Sequence, residues 1–235
     1  MTEFALPCRA AFARIRRRGL RIGGLVTALL LVPNLVVVLG HRLARKAVPT
    51  PRQRLPIKNF AEVDHWLWRG AAPTEEAYRM LAANGVTTVV DLRAEEHIHT
   101  HDVVRDQLGV AQVHLPLADG RAPTREQVQH FLTAVGQSRG RVYAHCGAGV
   151  GRTGTMAATY LVATGQATGR EAVRRNLSVG PPSVEQLAFS ARLHGGEVRR
   201  PPAPVVVLSR ALDGPRRLWA RISSYTPRKL SDPRA

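Results

Sequence analysis

A glycine-rich segment between a predicted strand and a predicted helix limits the fold of this chain more than any other feature. Residues 141–145 (Arg-Val-Tyr-Ala-His) have the composition of a buried strand, and Met156 and Tyr160 follow at helical spacing. Three of the five residues 147–151 are glycine, so the backbone between strand and helix can turn tightly. In α/β sheets such a turn lies beyond the carboxyl end of a strand, where ligands bind. The segment therefore predicts an α/β fold and the place of its site.

The alternation of strands and helices runs through residues 59–194. Strands are predicted at 66–68, 86–92, 111–115 and 141–145. Helices are predicted after the N-caps Thr74 and Thr124, over 95–108, after the glycine-rich segment, and over 170–177 and 184–193. Such alternation favours a mostly parallel central sheet flanked by helices.

An uncharged run of 19 residues, 22–40, precedes this domain and has basic residues on both sides. As a helix it would extend roughly 28 Å, and the hydrocarbon core of a bilayer is about 30 Å thick. Pro33 and Asn34 disfavour a straight span. We predict an N-terminal transmembrane helix that makes the chain a single-pass membrane protein, with the side of the folded domain left open. A cleaved signal peptide is the alternative, although no A-x-A-like site follows closely.

The formal net charge of +17 lies at the two ends of the chain. Lys and Arg number 12 against one acid in residues 1–60, 13 against 13 in residues 61–194, and nine against three in residues 195–235. A domain that binds a nucleic-acid duplex should be basic over its folded face, so nucleic acid is not a predicted partner. We predict a basic segment at 1–21, a Pro-rich linker at 41–58, a folded domain at 59–194 and a basic, flexible tail at 195–235.

The segment that follows residue 145 has the composition of an anion-binding loop with a nucleophile at its base. Its glycines allow successive N–H groups to point inward, and a helix that begins near Arg152 adds its positive end. Cys146 would lie at the floor, where these dipoles and Arg152 favour the thiolate. The planar guanidinium of Arg152 can hold two phosphate oxygens. A thiolate below a bound phosphate is placed for in-line attack on phosphorus.

His145-Cys146, five further residues and Arg152-Thr153-Gly154 resemble the motif of the cysteine-dependent protein tyrosine and dual-specificity phosphatases. Segments 67–70 (Leu-Trp-Arg-Gly), 89–93 (Val-Val-Asp-Leu-Arg) and 114–119 (His-Leu-Pro-Leu-Ala-Asp) are similar to parts of the compact dual-specificity type. The resemblance covers about residues 59–194. It implies the dual-specificity-phosphatase-like fold and the hydrolysis of phosphate monoesters through a phosphocysteine.

The resemblance also implies a role for each site residue. Cys146 would be the nucleophile, Thr153 would donate a hydrogen bond to the thiolate as it leaves, and His145 would support the loop. Asp119 matches the general acid of a mobile loop, and a turn aspartate before Gly120 is the alternative. The phosphate would be bound by the N–H groups of Gly147, Ala148, Gly149, Val150, Gly151 and Arg152, and by the Arg152 side chain. No metal or cofactor is implied.

The substrate stays open at this point. Phosphotyrosine and phosphoserine or phosphothreonine in a protein are predicted, and a lipid or small-molecule phosphate is the alternative of the same mechanism. Alternatives of other classes are a non-catalytic phosphate-binding module and a rhodanese-like sulfurtransferase. We leave Gln186 outside the site, and we interpret His97, His99 and His101 as a solvated face rather than a metal site.

Overall fold

The computed structural model describes residues 31–48, 55–94, 106–195 and 197–224, the last eleven of them by their backbone alone. Five strands form one sheet in the order β1-β2-β5-β3-β4. Their bounds are Ala61–Glu62 (β1), Leu67–Ala71 (β2), Val86–Arg93 (β3), Ala111–Leu117 (β4) and Arg141–Cys146 (β5). β1 pairs with β2 antiparallel, and every other pairing is parallel. The predicted α/β fold with a mostly parallel sheet is confirmed.

Seven helices accompany the sheet within the described residues, and residues 106–107 are the described end of a further helical segment. The seven helices are α1 (31–47), α2 (Glu75–Ala83), α3 (Arg125–Gln137), α4 (Gly151–Ala163), α5 (Gly169–Val179), α6 (Val184–Ala191) and α7 (Ala203–Ser224). Side chains of Thr74, Thr124, Thr168 and Ser183 cap α2, α3, α5 and α6 by accepting a hydrogen bond from a first-turn N–H. Residues 95–105 of the helix predicted at 95–108 lie outside the described residues.

The core lies on both faces of the sheet. On one face Leu81 of α2 packs with Val89 and Tyr143 of the sheet. On the other face Phe131 of α3 and Met156 of α4 pack in a cluster that includes Val90, Leu92, Leu117 and Cys146. Helix α4 is the most deeply buried of the helices, because residues 152–162 are all buried. The element that follows the glycine-rich segment is therefore fixed by the core.

The strand register brings three carboxyl ends together. Ala71 at the end of β2 is paired with Cys146 at the end of β5, and Asp91 of β3 is paired with His145. Because these strands are parallel, the loops that follow them leave the sheet at the same edge. The glycine-rich segment begins at this edge.

The N-terminal part of the structure differs from the predicted span and linker. Among the described residues, no helix combines the length and the apolar composition that crossing a bilayer requires. Residues 22–30 of the predicted transmembrane helix and the basic segment 1–21 lie outside that part. Helix α1 runs on to residue 47, into the predicted linker, and Leu55 and Ile57 belong to the core. Contact with the folded domain, which the sequence pattern does not reveal, orders these residues.

The C-terminal part also differs from the flexible tail expected at 195–235. Residues 203–224 form helix α7, whose Ser209 and Leu212 are buried. Ser209 Oγ accepts a hydrogen bond from the Glu185 N–H at 3.0 Å, and Arg210 Nε lies 3.4 Å from Glu185 Oε2. The first half of α7 therefore packs on α6. Residues 225–235 lie outside the described part.

Candidate active site

The loop between β5 and α4 surrounds the sulfur of Cys146. Cys146 ends β5 and is 3% exposed, and its Sγ accepts a hydrogen bond from the Gly149 N–H at 3.3 Å. Helix α4 begins at Gly151, and its N-cap residue Val150 provides no side-chain cap. The first N–H groups of α4 have no partner inside the helix and point out of its N-terminus, which favours an anion there.

Every carbonyl group from residue 147 to residue 150 is hydrogen-bonded to a group outside the loop. The Ala72 N–H donates to Gly147 O at 3.3 Å, and the Asn59 side-chain amide donates to Ala148 O at 2.8 Å. Arg69 Nη2 donates to Gly149 O at 2.8 Å and to Val150 O at 3.3 Å. These bonds fix the orientation of the loop's peptide units. Because a peptide N–H points away from its own carbonyl, four such bonds direct the intervening N–H groups toward the opposite side.

Gly149 occupies a place that a side chain cannot share. Its φ of +73° lies in the left-handed region. A Cβ at this position would be 2.3 Å from the carbonyl carbon of Gly70. The loop therefore lies directly against the end of β2, where the Arg69 side chain begins.

Arg69 is a site residue that the sequence reasoning quoted in a motif but gave no role. It is 3% exposed, and its Nη1 donates to Asn176 Oδ1 at 3.1 Å. Burial lowers its pKa to about 10, and the nearby Cys146 and Tyr143 oppose that decrease. Arg69 therefore remains cationic at neutral pH and places a buried positive charge close to the sulfur of Cys146.

Arg152 and Asp119 form an ion pair in the wall of the pocket. Arg152 is 5% exposed in its side chain, Asp119 is 66% exposed, and Arg152 Nε lies 3.3 Å from Asp119 Oδ1. Arg152 Nη1 also donates to Leu117 O at 3.4 Å. Arg152 and Asp119 both line a cleft of about 260 Å³, and Cys146 is also in its wall. The structure thus brings Cys146, Arg152 and Asp119, three of the predicted site residues, to one cleft.

The loop that carries Asp119 is held by the N-terminus of α6. Ser183 Oγ donates to Gly120 O at 2.7 Å, and Glu185 Oε1 accepts from the Ala122 N–H at 3.1 Å. Gln186 Nε2 lies 3.4 Å from Arg121 O. Gln186 is 1% exposed and lines the cleft, although the sequence reasoning left it outside the site.

His145 lies under the loop among charged neighbours. Its Nδ1 is 3.8 Å from Asp91 Oδ1, and its ring stacks on Tyr143 with centroids 5.9 Å apart. Burial by itself raises the pKa of Asp91, yet hydrogen bonds from Arg93 and the charge of His145 hold that pKa below its ordinary value. The ionised Asp91 can therefore brace both His145 and Arg93 at the ends of their strands.

Thr153 is placed next to the loop without the bond that the resemblance implied. It is fully buried, and its Oγ1 has no hydrogen-bond partner among the described residues. In the part of the chain that the structure describes, no group of three His, Cys, Asp or Glu side chains could hold a metal ion. The histidines at 97, 99 and 101 lie outside it.

Comparisons with known proteins place the chain in a family. Residues 48–192 match a family described as "DSP-PTPase phosphatase fused to NAD+ Kinase". A probable chloroplastic NAD kinase 2 of Oryza sativa subsp. japonica is 33% identical over 108 residues, which are 40% of this chain and 10% of that protein. The human dual specificity protein phosphatase CDC14C is 32% identical over 105 residues, which are 42% of this chain and 23% of that protein. The chain thus spans less than a quarter of the length of these relatives.

A crystal structure of PTPMT1 in complex with PI(5)P is similar in fold, with a TM-score of 0.49 and 23% sequence identity. The match covers 56% of this chain and 92% of that one. The fold, the cysteine loop and the family match define a class, the cysteine-based phosphatases of the compact dual-specificity type. The chain belongs to the DSP-PTPase family matched by residues 48–192.

Proposed function

We propose that this protein hydrolyses phosphate monoesters through a phosphocysteine at Cys146. The observation that carries the proposal is the loop whose four carbonyls, from residue 147 to residue 150, are all bonded to groups outside it. Such a loop holds its N–H groups in place before a ligand arrives, and preorganised donors stabilise the charge of the transferring phosphoryl group. Cys146 lies at its base with its sulfur toward the Gly149 N–H.

In the first step the Cys146 thiolate attacks phosphorus, and the bond between phosphorus and the ester oxygen breaks. Asp119, in its acid form, gives its proton to that oxygen, so the alcohol leaves neutral. Arg152 and the loop N–H groups hold the equatorial oxygens of the phosphoryl group. Asp119 has room to turn toward a leaving group because its side chain is largely exposed.

In the second step a water molecule attacks the phosphocysteine, and Asp119 takes its proton. The bond between sulfur and phosphorus breaks, which releases inorganic phosphate and restores the thiolate. The hydroxyl of Thr153, which has no hydrogen-bond partner in the described part of the chain, can rotate toward the sulfur as the charge returns. Arg69 lies behind the same loop and holds two of its carbonyl groups during both steps.

For the alcohol part of the substrate, the resemblance supports phosphotyrosine and phosphoserine or phosphothreonine, and a lipid or small-molecule phosphate is the alternative of the same mechanism. We also propose that the uncharged run at 22–40 attaches the protein to a membrane. The apolar side chains of this run that the structure describes in α1 support attachment, because several are exposed.

The test is phosphate release from an aryl phosphate by the full chain and by two cysteine variants. Cys146→Ser should lose turnover, because the hydroxyl of serine is a far weaker nucleophile than a thiolate. Cys8→Ser, which changes the other cysteine, should keep it. Activity retained in Cys146→Ser would contradict the mechanism. Sulfur transfer from thiosulfate without phosphate release would instead favour a rhodanese-like enzyme, and no turnover in the unchanged chain would favour a binding module.

A further inference from the structure

Helix α1 has one face against the folded domain. Ala44 is buried, Val37 and His41 are half-buried, and His41 Nδ1 lies 2.5 Å from Leu177 O of α5. Gly40, on the same face, is close enough to α5 that a Cβ would touch the Leu177 side chain at 3.8 Å. The spacing of 37, 40, 41 and 44 is that of a single helical face. The helix therefore lies along the domain.

The opposite face of α1 is apolar and exposed. Its large apolar side chains, each between 40% and 66% exposed, are Leu31, Val32, Leu35, Val36, Val38, Leu39 and Leu43. A contiguous exposed apolar surface of this kind marks a site that another surface covers. Arg42, Arg45 and Lys46 are exposed at the C-terminal end of the same helix. Residues 22–30, which precede the described part of this helix in the sequence, are uncharged and mostly apolar.

Apolar side chains next to exposed basic ones are the composition of a helix that lies in the interface of a bilayer. The apolar side chains enter the boundary of the acyl chains, and Arg and Lys extend to the headgroups. A soluble protein partner would explain the apolar side chains alone. A lipid surface explains both the apolar face and the basic end, and it explains the uncharged sequence before it.

Helix α1 also lies beside the mouth of the phosphate cleft. A small cleft of about 90 Å³ separates it from the domain, with Val37 and Val38 on one side and Pro181, Pro182 and Asp213 on the other. Those last three residues also line the cleft that contains Cys146 and Arg152. Val38 belongs to the exposed apolar face as well. Pro181, Pro182 and Asp213 therefore form a single wall that separates helix α1 from the catalytic cleft.

We propose that the apolar face of α1 lies flat on a lipid bilayer and holds the mouth of the phosphate cleft at the lipid surface, where the substrate is the phosphomonoester headgroup of a lipid. This inference rests on the proposed function, since it names the substrate class of the same site. The reaction converts a lipid phosphomonoester and water into the lipid alcohol and inorganic phosphate. A bilayer that holds α1 along the domain brings such headgroups to Cys146 without extracting the lipid.

The experiment uses the full chain with vesicles of phosphatidylcholine and phosphatidylglycerol that carry a small fraction of phosphatidic acid. Vesicle binding is measured by flotation, and phosphate release is measured from the vesicles, from short-chain phosphatidic acid below its micelle concentration, from a phosphotyrosyl peptide and from a soluble aryl phosphate. The variant is Leu35→Glu/Leu39→Glu, in which both side chains are exposed and one helical turn apart. Hydrolysis of the aryl phosphate depends on the catalytic chemistry alone. If the unchanged chain is inactive on it, the proposed function is contradicted rather than this inference.

The matched control is Trp66→Glu. Trp66 is 52% exposed and immediately precedes β2, so it lies at the edge of the sheet opposite the phosphate loop. We expect the double variant to bind vesicles about tenfold more weakly or worse, and to lose a similar factor on vesicle substrate. Its rate on the aryl phosphate should stay within about twofold of the unchanged chain, because neither leucine touches the cleft. Trp66→Glu should keep binding and both activities.

Three results would overturn the proposal. In the first, the double variant binds vesicles as well as the unchanged chain does. In the second, the unchanged chain hydrolyses the phosphotyrosyl peptide but not the vesicle lipid. In the third, light scattering shows a dimer that the two glutamates dissociate while vesicle binding is absent, which would assign the apolar face to a second copy of the chain.

Discussion

The two loops of the site are held in place in different ways. The phosphate loop is held by hydrogen bonds from a buried side chain. Arg69, which is 3% exposed, donates to the carbonyl oxygens of Gly149 and Val150. The loop that carries Asp119 is tied by the first turn of α6, and Asp119 itself is 66% exposed. The first arrangement preorganises the binding of an anion. The second leaves the acid free to meet leaving groups of different shape.

The largest effect should come from the exposed loop. In Asp119→Ala the leaving oxygen receives no proton, so kcat on an alkyl phosphate should fall by about 10²–10⁴. On an aryl phosphate with a stable phenolate leaving group the loss should be much smaller. Steady-state rates on the two substrates give this comparison. An equal loss on both would assign Asp119 to binding rather than to proton transfer.

The next effect should come from the support of the buried loop. Arg69→Met removes the donor to Gly149 O and Val150 O while keeping an unbranched side chain of similar length. We expect kcat/KM to fall by about 10², and the inhibition constant of inorganic phosphate to rise with it, because the N–H groups lose their alignment. The loss should be equal on alkyl and aryl phosphates, unlike that of Asp119→Ala.

Thermal unfolding serves as the control for Arg69→Met. A variant that only loses stability should bind phosphate normally well below its melting temperature. Unchanged phosphate inhibition at low temperature would therefore show that Arg69 acts on stability and not on the loop. Arg69→Lys keeps the charge without the planar fork, so it should resemble Arg69→Met rather than the unchanged chain.

A smaller effect should come from the support of the exposed loop. Glu185→Ala removes the acceptor of the Ala122 N–H and the contact with Arg210 of α7. We expect kcat on an alkyl phosphate to fall about two- to tenfold, the equivalent of one hydrogen bond, with phosphate inhibition unchanged. Glu197→Ala is the matched control, since its ion pair with Arg199 is exposed and joins two residues of the same segment. A change in the inhibition constant of inorganic phosphate would show that the two loops do not act independently.

The smallest effect concerns stability and pH. The pKa of Asp91 is below its ordinary value, so the ionised form stabilises the fold above that ordinary value, and the contribution disappears as the pH falls through the lower, folded-state pKa. Asp91→Asn should therefore be less stable by about 1–2 kcal/mol near neutral pH, through lost bonds to Arg93. The difference from the unchanged chain should shrink in acid. Denaturant unfolding at several pH values measures it, and a difference independent of pH would contradict this role.

The structural features that the sequence predicted are those that depend on residues close together in the chain. The β-branched run at 86–92 forms β3, and Thr74 and Thr124 cap helices as their spacing indicates. The relation of Cys146 to the N-terminus of α4 follows from the glycines between them. These features depend on local backbone geometry, which a single sequence specifies.

What the sequence did not reveal depends on contacts between distant residues. Arg69 meets Gly149 and Asn176, 80 and 107 positions away, and no local pattern marks such a contact. Helix α7 was expected to be a flexible tail because it is basic and contains proline. It is ordered in its first half by Ser209 and Arg210, which meet Glu185 of α6. Gln186 looked like a packing residue and packs against the cleft itself.

The central claim is that the phosphoryl group passes through the sulfur of Cys146. Asp119→Ala should slow the second step as well as the first, so it should let this intermediate accumulate on an aryl phosphate. The most direct measurement is acid quenching of that variant during turnover, followed by peptide mass spectrometry. The account predicts one added phosphoryl group on the peptide that contains Cys146, absent in Cys146→Ser. Turnover with the phosphoryl group on another residue, or with no covalent intermediate at all, would contradict it.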